Sequence, residues 1–263
     1  MRIITYNVNS LKARMPRLLA LIDEHQPDVL CVQETKASAQ SFPHFDLQAA
    51  GYVAADHSAG RWAGVAVIAR SELGIDDVAA GLPGEPEPQE ARWVEATVAG
   101  IRVVSVYVPN GREVGTDTFA AKLAFLDAIA DRARDLAAEA ACISGDFNVC
   151  PTDQDVWDPA KVHGGTHVTP GERSRLEAIV GAGFVDSFRA VEPAEPGFTW
   201  WDYRAGHFHK GFGLRIDLSL ASRALAARLE GAAVARAYRK PTRVRESKPS
   251  DHAPLVVDFG PPE

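Results

Sequence analysis

RVVSVYVPNG, residues 102–111, carries valine on both sides of an extended chain, at Val103, Val104, Val106 and Val108. A strand apolar on both faces needs cover front and back, which two sheets stacked beneath outer helices supply. Seven further runs read as strands: residues 3–8, 29–33, 64–69, 93–98, 141–144, 215–220 and 254–259. Helical spacing marks residues 14–24, with Met15, Leu18, Leu19 and Ile22 on one face. It also marks residues 119–137, where Phe119, Leu123, Leu126, Ile129, Ala133 and Leu136 recur by threes and fours behind Asp117 and Thr118 as candidate N-caps. A third, shorter helix is expected at 172–181. Strands mixed with helices in this way make the fold class α/β with mixed sheets. The Pro/Gly/acidic stretch 82–90 lies between two strand patterns and reads as a hairpin loop. No linker, repeat or low-complexity segment divides the chain, so a single domain over residues 1–263 is expected.

Four short segments carry the chemistry. TYNVN brings Asn7, VQETK brings Glu34, SGDFN brings Asp146 and Asn148, and PSDHAP brings Asp251 and His252. Three of them follow or interrupt β-branched runs, where strands end and present side chains to a ligand. Together they imply one convergent, carboxylate-rich pocket, which admits an anionic substrate only with a divalent cation to offset the repulsion. Glu34 is the leading metal ligand, since Mg²⁺ takes hard oxygens and needs only one or two protein carboxylates. Alone it would pass for a surface glutamate, as Asn7 would for a turn residue. Asp146 and Asn148, two residues apart, share one side of an extended chain. The carboxylate can activate or position a water and the amide can donate to a phosphoryl oxygen, although both residue types also favour plain turns. Asp251 and His252 are neighbours and point apart on a strand, so His252 takes its orienting carboxylate from elsewhere, with Asp217 in LRIDLSL as the candidate. Such a histidine either binds the scissile phosphate as imidazolium or acts as the base. Tyr107 either puts a phenol at the same rim or packs. Phe198, Trp200, Trp201 and Tyr203, flanked by Arg204, suit core packing or stacking on bases.

Bulk composition narrows the classes. With 263 residues, 46% hydrophobic and 24% charged, the chain is an ordinary soluble globular protein. No run approaches the roughly 18 apolar residues of a membrane span, and MRIITYNV has no signal-peptide pattern. Cys31, Cys142 and Cys150 lack paired spacing and read as reduced, buried thiols of a cytoplasmic protein. The net charge of −7 weighs against a polyanionic partner, but its distribution matters more than its sum. Between 236 and 250, Arg236, Arg239, Lys240, Arg243, Arg245 and Lys248 stand against Glu246 alone. Lys12, Arg14, Arg17 and Lys36 flank the first two motifs. These stretches are either solvated surface or a nucleic-acid-facing one.

Taken in order, TYNVNSLKAR, HQPDVLCVQETK, VYVPNG, SGDFNVCPTD, FTWWDYR, GLRIDLSLAS and PSDHAP resemble the exonuclease III family of DNA repair nucleases, part of the endonuclease/exonuclease/phosphatase fold shared with DNase I. The resemblance runs from Met1 to about Phe259. It implies a four-layer α/β sandwich, two mixed sheets face to face between helices, with the site at one edge. It implies Mg²⁺ dependence, with Mn²⁺ as a substitute. The implied reaction is hydrolysis of duplex DNA by a monomer, 5′ to abasic sites or from 3′ ends, as exonuclease and 3′-phosphatase. Carried over by position, Glu34 is the main metal ligand, with Asn7 and Asp251 close by, and Asp146, Asn148 and His252 complete the metal and phosphate site. Asp146 handles the proton of the attacking water, Asn148 stabilises the transition state, Asp217 partners His252, and Tyr107 matches the family's active-site tyrosine. Trp200, Leu214 and Ile216 match the pocket for an extrahelical sugar, and Asn110 and Arg112 a DNA-backbone contact, with Lys36 also facing DNA. Two departures stand out. Asn9-Ser10-Lys12 stands where members often carry Asn or Asp, then Gly, then Arg; an Asn at 9 makes any second metal position less acidic and leaves one or two metals open, and Cys150 replaces a small Ala or Ser. The alternative within the superfamily is a phosphatase or phosphodiesterase acting on a non-DNA phosphate ester such as a phosphoinositide; a binding protein that has lost catalysis is the third.

Overall fold

The computed structural model describes residues 1–241 and 247–261. In chain order its strands are β1 (Arg2–Asn7), β2 (Val29–Gln33), β3 (Tyr52–His57), β4 (Val65–Arg70), β5 (Asp76–Ala80), β6 (Trp93–Val98), β7 (Ile101–Tyr107), β8 (Ala141–Asp146), β9 (Phe184–Asp186), β10 (Asp217–Ser222), β11 (Leu229–Val234) and β12 (Leu255–Phe259). They form two mixed six-stranded sheets, ordered β11-β12-β1-β2-β4-β3 and β5-β6-β7-β8-β10-β9. The helices that matter for the site are α1 (Leu11–His25), α2 (His44–Ala49), α3 (Asp117–Leu136), α4 (Pro159–Val162) and α5 (Pro170–Gly181).

The alternation of side chains explains the layers. Val103 faces inward, where the second sheet's Val94, Ala96 and Cys142 meet Ile3, Val29, Cys31 and Val67 of the first. Val104 and Val106 face outward with Ile143 and Leu220, beneath Phe125, Leu126 and Ile129 of α3 and Leu176 and Ile179 of α5. The outer face of the first sheet, with Ile4, Leu30 and Ile68, lies under Leu18, Leu21 and Ile22 of α1 and Leu47 of α2. Each buried aliphatic side chain contributes about 1.5–3 kcal/mol, so three apolar layers hold the four-layer sandwich together.

Helix boundaries differ from the sequence reading in instructive ways. α1 begins at Leu11, runs through Pro16 and buries Leu18, Leu21 and Ile22, whereas Met15 and Leu19 are only partly buried. Thr116 caps α3, its hydroxyl accepting from the Phe119 amide at 3.3 Å, so neither Asp117 nor Thr118 does. α5 starts at Pro170 behind a reciprocal Thr169–Glu172 capping box. Arg17, grouped above with the basic residues beside the motifs, is fully buried. It donates to the Ser247 and Tyr238 carbonyls at 2.8 and 3.1 Å and braces the C-terminal segment. Arg239 is buried too, donating to the Trp201 carbonyl at 3.2 Å and lying over the Tyr203 ring. Arg243, Arg245 and Glu246 of the same basic run lie outside the described residues.

The topology places the motifs together. β1 runs parallel to β2, and β7 parallel to β8, with Asn7 beside Gln33 and Tyr107 beside Asp146. β10 is antiparallel to β8 and starts at Asp217, directly opposite Asp146. All these strand ends therefore reach the same edge of the sandwich. Gly145 lets β7 and β8 close there, because a Cβ at this position would stand 1.9 Å from the Val106 carbonyl oxygen.

Candidate active site

The loops that leave β1 and β2 are laced together by backbone hydrogen bonds. Ser10 N donates to Glu34 O at 2.7 Å, Leu11 N to Thr35 O at 3.0 Å, and Thr35 N to Gly64 O at 3.1 Å. This lacing holds Asn9, Glu34 and Lys36 at φ of 46°, 52° and 50°, and Asn148 stands at 51° across the cleft. Left-handed backbone at non-glycine residues costs on the order of 1–3 kcal/mol each and persists only where the surroundings enforce it. Here it turns the Glu34 and Asn148 side chains toward the cleft between the sheets.

Within the cleft, Glu34, Asp146 and His252 each offer a ligand atom, and these atoms lie within 4.8 Å of one another. Asn7 bridges the two carboxylates, donating from Nδ2 to Glu34 Oε1 at 2.8 Å and to Asp146 Oδ2 at 2.9 Å. Its own oxygen accepts from the Asn9 amide at 3.0 Å. Asp251 is held by Asn9 Nδ2 and by the Trp200 indole N–H, both at 3.0 Å. Asn148 donates from Nδ2 to the Val108 carbonyl at 2.9 Å and accepts from Asn110 at 3.2 Å, while its backbone amide donates to Asp146 Oδ1 at 2.9 Å. Of the six residues expected at the metal, three thus converge, and Asn7, Asn148 and Asp251 frame them. Two hard carboxylates fit a small divalent cation that keeps room for water and phosphate, with the imidazole beside them. Lys36, expected to face DNA, places its ammonium 2.8 Å from Glu34 Oε2 and 2.6 Å from Asn9 Oδ1.

His252 takes its partner from β10, as its neighbour's direction requires. Its Nδ1 lies 2.9 Å from Asp217 Oδ2, leaving Nε2 to face Asp146 Oδ2 at 3.8 Å. Thr199 fixes the start of β10, its hydroxyl accepting from the Asp217 and Ile216 amides at 3.1 and 3.2 Å. Burial alone would depress the imidazole, but the Asp217 carboxylate, by charge and hydrogen bond, more than reverses this and raises it to about 10. Burial drives the Asp146 carboxyl up, to about 7, against the pull of His252 and with the Asp217 and Glu34 charges adding to the rise. Burial and the Glu34 and Asp146 carboxylates keep the Tyr107 phenol protonated well above its ordinary range. At neutral pH the cleft therefore offers a carboxylate able to take a proton beside an imidazolium able to donate one.

Beside this centre Leu214 and Ile216 join Cys150 and Val156 in an apolar cluster against which Trp200 packs. Trp201 belongs to a separate cluster with Phe208 and Ala253 and is core. Arg112 is exposed at the rim, its amide bonded to Asn110 Oδ1 at 3.1 Å. Roles not anticipated are those of Asn9 as a support of Asp251, of Thr199, of the half-buried His167, drawn down to about 4 by desolvation and the Lys122 charge, and of the ion pair Lys122–Glu172. Lys122, fully buried, donates to the Asn148 carbonyl at 2.7 Å and to the Asn110 carbonyl at 3.2 Å, and so supports the turn that carries Asn148. Its place on the Phe119–Leu126 face of α3 was the available signal.

Residues 4–252 match the Endonuclease/Exonuclease/phosphatase family. The chain is 32% identical to exodeoxyribonuclease III of Haemophilus influenzae over 98% of this chain and 100% of that protein. Among solved structures, the 3′ phosphatase NExo from Neisseria bound to a product DNA hairpin superposes with a TM-score of 0.94 at 36% identity, covering 99% of each chain. An AP endonuclease from Archaeoglobus fulgidus gives 0.92 at 32% identity, covering 98% of this chain and 99% of that one.

Proposed function

Because the chain belongs to the Endonuclease/Exonuclease/phosphatase family, in its exonuclease III branch, we infer that it is a DNA repair nuclease, a hydrolase of DNA phosphodiester bonds. The observation that carries the reading is the convergence of Glu34, Asp146 and His252 at the shared strand edge, with Asp217 behind the histidine. The whole of residues 1–263 is read as one catalytic unit, since both halves contribute to that cleft. The chemistry of this family is metal-dependent, and we assign the ion as Mg²⁺, with Mn²⁺ as a substitute, held by Glu34 with Asp146 beside it, while His252 faces the phosphate. When bound, the cation supplies positive charge at a phosphoryl oxygen.

The residues of the chain divide the rest of the work. Asp146, raised toward neutrality, accepts the proton of a water aligned for in-line attack on phosphorus. His252, held protonated by Asp217, donates through Nε2 to the charge that develops on the phosphoryl oxygens. One N–H of the Asn148 amide is taken by Val108, and the second serves the same charge. Of the two candidate bases this favours Asp146 over the His252–Asp217 pair. Leu214, Ile216 and Trp200 wall the place of the sugar, and Asn110 and Arg112 stand where the backbone passes.

The substrates assigned are duplex DNA with abasic sites and with 3′ ends, for a monomer working in the cytoplasm. Among the described residues no helix is long and apolar enough to cross a membrane. Processing of 3′ ends is given equal weight with incision, because the Neisseria protein, at 36% identity, is a 3′ phosphatase. The test is Mg²⁺-dependent turnover of a duplex with one abasic site and a duplex with a 3′-phosphate, set beside a phosphoinositide. Asp146→Asn should lower turnover by roughly 10²–10³, the loss typical of a preorganised charge-handling group, with the circular dichroism spectrum unchanged. Near-normal turnover by that variant, or preference for the phosphoinositide, overturns the reading.

A further inference from the structure

Beyond the apolar sugar wall, Trp157 and Phe212 stack on one another, ring centroids 3.9 Å apart and planes inclined by 20°. They come from two different loops, residues 147–158 and 211–216, and are tied by Trp157 N donating to Gly213 O at 3.1 Å. Two ammonium groups lie on this pair. Lys161 Nζ stands 4.8 Å from the Trp157 ring centroid, and Lys210 Nζ 5.8 Å from that of Phe212. Lys161, itself exposed, also meets the half-buried Asp158 at 3.4 Å, a weak surface contact that it can exchange for another. Both lysines are exposed, and both are located by ring faces rather than left to wander.

The ledge is continuous with the catalytic cleft. Val156 bridges to Leu214, Leu214 to Trp200, and Trp200 to His252, so a short ladder of backbone pairs fixes its distance from the histidine. A polyanion lying across the cleft therefore meets two pre-placed cations on a rigid aromatic support. We propose that Lys161 and Lys210, seated on the Trp157–Phe212 stack, bind the sugar-phosphate backbone of duplex DNA beyond the scissile nucleotide. The inference rests on the DNA-nuclease reading. It adds that part of the affinity is supplied by this ledge, so that the substrate must extend as backbone past the reacting phosphate.

Salt dependence distinguishes a phosphate contact from a merely structural lysine. Binding of fluorescein-labelled abasic and 3′-phosphate duplexes to the intact protein is followed by anisotropy in EDTA at a series of KCl concentrations. At about 0.9 per neutralised phosphate, the Lys161→Gln/Lys210→Gln protein should show a slope of log affinity against log salt shallower by about 1.8. Its loss of affinity between about 50 and 200 mM salt is then roughly tenfold smaller than that of the wild type. Arg134→Gln, an exposed α3 residue paired with Asp131, should keep the wild-type slope. A double variant with the wild-type slope overturns the inference, whatever its absolute affinity, while leaving the nuclease reading in place. Wild-type protein that binds neither duplex overturns both.

Discussion

Asp217→Asn isolates the role of the carboxylate behind His252. Asp217 Oδ2 sits 2.9 Å from His252 Nδ1, and both side chains are almost wholly buried. In the native protein burial works against the imidazolium, and the Asp217 charge raises His252 to about 10 in spite of it. The proton is thus retained through neutral pH and lost only as the pH climbs through that value. An asparagine keeps the shape and removes the charge. Even if His252 returned only to the ordinary value near 6.5, at about pH 8 it would be roughly 3% protonated, a loss of about 30-fold from protonation alone. Unopposed burial makes the loss larger. The assay is kcat/KM on an abasic-site duplex from about pH 6 to about pH 10, with the imidazole titration followed by NMR in the metal-free protein. The alkaline limb should move below neutrality in the variant, and the NMR midpoint should move with it. If Asp217→Asn kept the wild-type alkaline limb, the assignment of His252 as a protonated donor would be wrong.

Three further outcomes follow from the packing. Gly145→Ala places a methyl 1.9 Å from the Val106 carbonyl oxygen, so β7 and β8 must part at the edge that carries Asp146; it should lower stability by about 1–3 kcal/mol in urea unfolding and reduce turnover as well. Lys122→Met leaves the buried Glu172 charge without its partner and should cost about 3–5 kcal/mol, most of it recovered in Lys122→Met/Glu172→Gln, as read from denaturant midpoints. Asp155 is pushed up by burial, but Arg215 at 2.6 Å and Arg189 at 2.7 Å more than offset this and hold it below the ordinary carboxylate range. Its contribution is therefore complete above about pH 4 and fades as the pH falls through the lowered native value, so Asp155→Asn should flatten the acid limb of stability against pH.

The eight strands legible in the sequence are the eight interior ones, and the four that were not, β3, β5, β9 and β11, are the four sheet edges. The cause is physical. An interior strand is covered on both sides and spells this out in valine and isoleucine, whereas an edge strand such as DDVAA of β5 is exposed along its length. LEGAAV of β11 has small residues and a bulge between Leu229 and Gly231 in place of alternation. At the site, each motif residue was legible because it stands at or beside the end of a strong interior strand, and the Asp217–His252 pair because adjacent side chains point apart. Asn9 and Thr199 were not, since their partners lie far away in sequence and neither residue type signals the role. Arg17 misled for a related reason. A cation beside an acidic motif reads as substrate-facing, yet this one folds back onto the Ser247 and Tyr238 carbonyls.

The most direct measurement is the position of Mn²⁺, located by anomalous scattering in crystals soaked with the ion. A peak about 2.0–2.2 Å from a Glu34 oxygen, on the side facing Asp146, is the outcome that the account requires. It should vanish in Glu34→Gln along with cleavage of abasic DNA. Manganese seated elsewhere in a protein that still cuts DNA, or full cutting by Glu34→Gln, would contradict the placing of the reaction in this cleft.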